Sequence, residues 1–190
     1  GRLAINCGMA LNEEPLVVLV DREDREIGLA PKTEAHQKAL LHRAFSVFVF
    51  NGVGELLLQQ RSPDKYHSGG LWTNTCCSHP LPGEDIHDAA HRRLVEEMGM
   101  DCPLESPFWF IYQTEFENGL SEHELDHVFL GNSDGPFRID PSEVAAALWI
   151  SLAELEAWME RRPQDFTFWF KHIYPRCAEF LHNRPSTMVL

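Results

Sequence analysis

The stretch EDIHDAAHRRLVEEMGM, residues 84–100, decides how this chain is read. Residues 84–98 have the pattern of a helix that Gly99 ends, because glycine takes the left-handed conformation that closes helices. At about 100° per residue, Ile86, Ala89, Ala90, Arg93, Leu94 and Glu97 fall on one side. That side should face the protein interior, yet it carries two charges. Spacing alone leaves two readings open. One is an Arg93–Glu97 ion pair one turn apart, worth a few tenths of a kcal/mol. In the other, Glu97 holds a metal ion and Arg93 a phosphate, both directed at a site.

Outward from this helix the pattern is mostly of strands. Residues 16–20 read as a first strand and 21–28 as a polar turn region. Residues 44–50 form a dense apolar run, Asn51-Gly52-Val53-Gly54 a turn, and residues 55–60 the returning strand. A long segment between Ser62 and Pro82, rich in Gly, Pro, Ser, Thr and Cys, reads as a functional loop. Further strands are expected near 108–116, 125–130 and 145–150, and helices over 152–161 and from Asp165 to about Leu181. Strands in the middle with helices beside them give an α/β domain with a mixed sheet between helical layers. Residues 1–15 are expected to be an N-terminal extension and 16–190 one domain. Met9 is a candidate natural start, with the residues ahead of it an added leader.

The chain has 190 residues, 44% of them apolar, enough for one substantial core. No run approaches a membrane span and no secretory leader is evident, which gives the expectation of a cytoplasmic protein. Five cysteines, two of them adjacent, make a poor disulfide framework and suit a reducing compartment. The net charge of -13 opposes binding to nucleic acid or to an anionic membrane. An anionic substrate therefore needs cations gathered at one place.

Glu84, the seven residues after it, and then residues 92–100 resemble the Nudix box, a loop–helix motif that binds divalent metal and diphosphate. Two positions depart from it: Ser78 stands where the box opens with Gly, and Arg93 where it asks for Glu. The second removes a carboxylate that Nudix hydrolases use around their metals. The resemblance thus implies diphosphate binding more firmly than hydrolysis, and a Nudix-like α/β/α sandwich as the fold.

The segment Trp72-Thr73-Asn74-Thr75-Cys76-Cys77-Ser78-His79-Pro80 is the most distinctive in the chain. It resembles the Trp-Thr-Asn-x-x-Cys-x-His-Pro signature of type I isopentenyl-diphosphate isomerases, a Nudix-fold family, with Ser78 in place of the usual Gly. Read without the family, Cys77 and His79 could equally be a buried thiol near a satisfied imidazole. Glu122 and Glu124 stand two apart, so a strand would turn both carboxylates to one face. Three imidazoles and two carboxylates suit a divalent ion such as Mn²⁺, Mg²⁺ or Zn²⁺. The resemblance implies a first ion held by His36, His42, His79, Glu122 and Glu124. His36 and His42 are separated by five residues, one fewer than the family pattern. A second ion, Mg²⁺ carried with the diphosphate, is implied at Glu97.

By the same resemblance Lys32, Arg61, Lys65 and Arg93 form the diphosphate clamp, where guanidinium groups chelate phosphate oxygens. Cys77 and Glu124 are implied as the two proton-handling groups, Tyr112 as their helper, and Trp169 as the aromatic face for a carbocation. Taken alone, Trp169 would pack among Phe166, Phe168 and Phe170. The implied activity interconverts isopentenyl and dimethylallyl diphosphate through a tertiary carbocation. Two other readings remain: a Nudix hydrolase of a nucleoside diphosphate derivative, and a zinc-stabilised module without catalysis.

Overall fold

A computed structural model describes residues 14–65, 67–116 and 118–183. Met9, Cys7 and the rest of residues 1–13, most of the expected N-terminal extension over 1–15, lie outside that range. Nine strands join in one sheet. They are β1 (Leu16–Val20), β2 (Glu26–Pro31), β3 (His42–Phe50), β4 (Leu56–Arg61), β5 (Trp72–Thr73), β6 (Cys76–Ser78), β7 (Leu104–Glu115), β8 (Ser121–Asn132) and β9 (Val144–Ile150). The helices are α1 (Lys32–Gln37), α2 (Ile86–Met98), α3 (Leu152–Arg161) and α4 (Phe168–His182). The sheet is mixed: β3 and β8 run parallel, while the other pairings are antiparallel.

Strand alternation divides the core in two. Phe45, Val47 and Val49 of β3 meet Ala89, Ala90, Leu94 and Met98 of α2 on one face. Phe48 and Phe50 meet Phe170, Ile173 and Tyr174 of α4 on the other. Both faces of the sheet are therefore covered by helix, as the α/β/α expectation requires. Helix α2 starts two residues later than its pattern suggests, because Asp85 accepts from the amides of His87 and Asp88 as N-cap. It ends at Gly99, whose φ of 58° is the left-handed value and whose added Cβ would meet Arg138 O at 2.5 Å.

Other boundaries differ from expectation as well. The polar region 21–28 turns only over its first half, and strand β2 begins at Glu26; its exposed residues hide the pattern, and β1 supplies its pairing. Helix α4 begins at Phe168 under a Thr167 N-cap, with a 3₁₀ turn over Pro163–Asp165 ahead of it. Strand β8 is twice the length of its apolar run, because its first half carries the acidic groups of a site. No helix among the described residues is long and apolar enough to cross a membrane. Cys76, Cys77, Cys102 and Cys177 are free thiols.

Candidate active site

A cavity of about 340 Å³ opens at one end of the sheet. Register places its chemistry. His42 of β3 lies opposite Glu124 of β8, which lies opposite Tyr112 of β7, so three groups form a row across three strands. On β8, Glu122, Glu124 and Asp126 share one face, as residues two apart must, and all three line the cavity.

One nitrogen each from His42 and His79 and one oxygen of Glu124 lie within 4.8 Å of one another. His79 Nε2 is 3.2 Å and His42 Nε2 3.5 Å from Glu124 Oε1. His42 Nδ1 stands 2.9 Å from the carbonyl oxygen of Leu40, which can only accept. Nδ1 therefore carries a proton and Nε2 is the nitrogen turned inward; burial opposes charge on the ring, but Glu124 outweighs it and raises His42. That Nε2 is fully buried and has no hydrogen-bond partner. An inward ring nitrogen, a second imidazole and a carboxylate are the donor set that a divalent ion takes once the imidazoles are neutral. Burial disfavours charge on Glu124, but His42 and His79 outweigh it and hold Glu124 well below the usual carboxylate range. It is ionised, as a ligand must be.

His36 and Glu122 stand beside this trio, not within it. His36 Nε2 is 3.8 Å from Glu122 Oε1, and the His36 and His42 rings are 5.8 Å apart. Burial, with His42 and His79 nearby, brings His36 down to about 3, so it is a neutral imidazole. His36 and His42 are both buried, at 1% and 0% exposed.

The implied clamp residues Lys32, Arg61, Lys65 and Arg93 all line the same cavity. Burial lowers Lys32, Arg61 and Lys65, which marks cations withdrawn from water. The Nε atoms of Arg61 and Arg93 are buried without a hydrogen-bond partner. Arg93 Nη2 is 3.4 Å from Glu97 Oε1, the ion pair that the spacing allowed, and both residues also line the cavity. Glu143, which nothing in the sequence pointed to, pairs with Lys65 and lies 3.5 Å from Arg93.

The adjacent thiols point opposite ways. Cys76 joins the α2 side of the core and donates to Glu97 Oε2 at 2.7 Å. Cys77 faces the cavity, 3.0 Å from Asn74 Oδ1 and 3.6 Å from Ser46 Oγ, and burial pushes it up to about 12. The rest of the signature is scaffold. Asn74 donates both amide hydrogens to Val47 O and Cys76 O, Thr75 donates to Leu57 O, and the Trp72 ring packs edge-on against Trp158.

Tyr112 donates at 2.6 Å to Glu124 Oε2, and Glu122 Oε2 is 3.1 Å from the same hydroxyl. Burial and the two glutamates raise its pKa well above the usual phenol value. Trp169 belongs to the α4 core and also walls the cavity, with the Arg61 guanidinium 4.9 Å over its ring. Phe166 and Phe170 stack on each other, while Phe168 lies against His172, leaving Trp169 for the cavity.

His67 was also missed: its Nε2 is 3.3 Å from Glu122 Oε1, and its ring meets Trp169 edge-on. Its place between Lys65 and Trp72 in the loop was the only hint. Asp126 continues the period-two row and could have been found from it.

Residues 40–174 match the NUDIX domain family. A protein of Aromatoleum aromaticum named isopentenyl-diphosphate Delta-isomerase 2 is 53% identical over 156 residues, covering 82% of each chain. An isopentenyl-diphosphate Delta-isomerase of Burkholderia multivorans is 52% identical, over 87% of this chain and 94% of the relative. This chain belongs to the Nudix-fold isopentenyl-diphosphate isomerases. The solved structure of DR0079 from Deinococcus radiodurans aligns with a TM-score of 0.63 at 20% identity, over 77% of this chain and 89% of that one. At that identity it speaks for the fold alone. The helix of the box persists, and Arg93, where the box asks for Glu, lines the cavity.

Proposed function

We infer that this chain interconverts isopentenyl diphosphate and dimethylallyl diphosphate, with the diphosphate at Lys32, Arg61, Lys65 and Arg93 and the hydrocarbon between Cys77 and Glu124. One observation supports the residue assignment: a single cavity is lined by Lys32, Arg61, Lys65 and Arg93 and also presents a cysteine thiol and a tyrosine-bonded glutamate.

The reaction adds a proton to the terminal carbon of an unactivated alkene, leaving a tertiary cation, and removes a proton from the second carbon. Two proton-handling groups and a water-poor, electron-rich wall are required. Cys77 Sγ and Glu124 Oε2, the latter in line with the Tyr112 hydroxyl, are those groups. Whichever delivers its proton to the terminal carbon, the other accepts the one leaving the second carbon, so the pair ends the turnover with its proton exchanged. The Trp169 face stabilises the cation by roughly 0.5–2 kcal/mol. Binding energy at the diphosphate aligns the alkene between the two groups.

His42, His79 and Glu124 would hold a divalent ion, with His36 and Glu122 as the neighbouring candidate ligands, and Glu97 would hold a second, Mg²⁺, with the diphosphate. Such an ion makes a coordinated acid stronger and neutralises phosphate charge. We take residues 16–190 as one domain carrying this whole site. Incubation of metal-replete protein with isopentenyl diphosphate should give dimethylallyl diphosphate and no free phosphate. Phosphate release without the isomer would return the reading to a hydrolase.

A further inference from the structure

Asp126 is a buried carboxyl at the cavity wall that the mechanism above does not use. It is 1% exposed and follows Glu122 and Glu124 on the same face of β8. Its Oδ2 accepts from Ser46 Oγ at 2.8 Å, and its Oδ1 is buried without a hydrogen-bond partner. Ser46 is itself 1% exposed and lies on β3, between β8 on one side and β6 on the other. On β6 its directly opposed residue is Cys77, so the hydroxyl and the thiol stand side by side on one face, 3.6 Å apart. Asp126, Ser46 and Cys77 thus form a chain across three strands.

The sulfur's two partners among the described residues differ in kind. Asn74 presents its carbonyl oxygen, since both amide hydrogens are held by backbone carbonyls. That oxygen can accept from the thiol but offers nothing to a sulfur whose proton is engaged with substrate. Ser46 can turn its hydroxyl proton from Asp126 to the sulfur.

We propose that Ser46 and Asp126 are positioning residues for Cys77: Asp126 fixes the Ser46 hydroxyl, and that hydroxyl fixes the sulfur against the hydrocarbon. Ser46 keeps its proton throughout, and none passes along the chain. This rests on the assignment of Cys77 as a proton-handling group.

The test is steady-state kinetics on isopentenyl diphosphate with metal-replete Ser46→Ala, Asp126→Asn, Asp126→Leu, the Ser46→Ala/Asp126→Leu double variant, and Cys77→Ala. Ser46→Ala should lower kcat about 10- to 100-fold while KM stays within about threefold. Asp126→Asn retains an acceptor oxygen for Ser46 and should stay within about fivefold of the parent, whereas Asp126→Leu should match Ser46→Ala. The double variant should be no slower than Ser46→Ala alone, as expected when one residue acts through the other. The proposal is overturned if Ser46→Ala turns over normally or moves only KM. It is equally overturned if Asp126→Asn loses as much as Asp126→Leu, or if the double variant shows the product of the single losses. Should Ser46→Ala not fold, Asp126→Asn against Asp126→Leu decides by the same criterion. Full activity of Cys77→Ala would refute the Cys77 assignment instead, a result separate from all of these.

Discussion

Replacing Tyr112 by Phe removes one oxygen from the centre of the site and little else. The ring stays packed beside Phe110, at 5.9 Å, and parallel to His172, at 6.4 Å. The hydroxyl has one proton and two carboxylates in reach, Glu124 Oε2 at 2.6 Å and Glu122 Oε2 at 3.1 Å. The shorter contact takes the proton, so the change falls on Glu124. A hydrogen bond to a charged group is worth about 1.5–3 kcal/mol, and each ~1.4 kcal/mol is a decade in rate. If Tyr112 orients the Glu124 carboxylate toward the hydrocarbon, kcat should fall about 10- to 150-fold. KM should move less than about threefold, because both partners of the hydroxyl are glutamates and neither is a clamp cation. Steady-state kinetics with isopentenyl diphosphate, with thermal unfolding as the control for folding, make the measurement. An unchanged kcat, or a raised KM with kcat intact, would refute the role given to Tyr112.

Four further outcomes follow from the same geometry. If Arg61 holds the diphosphate, Arg61→Ala should raise KM more than it lowers kcat; a pure turnover defect would place it at the reacting carbons. Trp169→Phe should keep more activity than Trp169→Leu because a π face remains; equal losses would leave Trp169 as core packing only. With Cys77 pushed up to about 12, only roughly one thiol in ten thousand is ionised at pH 8. Alkylation of Cys77 in metal-free protein, followed by peptide mapping, should therefore accelerate about tenfold per pH unit from pH 8 to 10; a plateau near pH 9 would contradict that environment. Chelation should abolish turnover while far-UV circular dichroism persists, because the sheet has two apolar cores of its own; unfolding on chelation would favour a zinc-stabilised module.

The sequence made regular elements legible wherever apolar periodicity was uninterrupted, as over α3, whose ends match expectation, and along the middle of β3 and α2. It lost them where side chains serve the site. The first half of β8 reads as polar because Glu122, Glu124 and Asp126 face a cavity and not a core. The family signature located Cys77 and His79, while strand alternation explains why Cys77 and not Cys76 reaches the cavity. No pattern could assign Glu143, His67 or Ser46, because each joins the site through a neighbour distant in sequence: Glu143 through Lys65, His67 through Glu122, Ser46 through Asp126. The close approach of His42, His79 and Glu124 is likewise a product of register and loop closure, which residue spacing does not encode.

The account is tested most directly by running the reaction in D₂O with metal-replete parent, Cys77→Ala and Glu124→Gln proteins and following deuterium by NMR. The parent should deliver dimethylallyl diphosphate deuterated in one methyl group and should return isopentenyl diphosphate labelled at its second carbon, while neither variant incorporates label at an appreciable rate. Isomer formed without deuterium at these positions, or label entering normally in either variant, would contradict the pairing of Cys77 and Glu124 across the hydrocarbon.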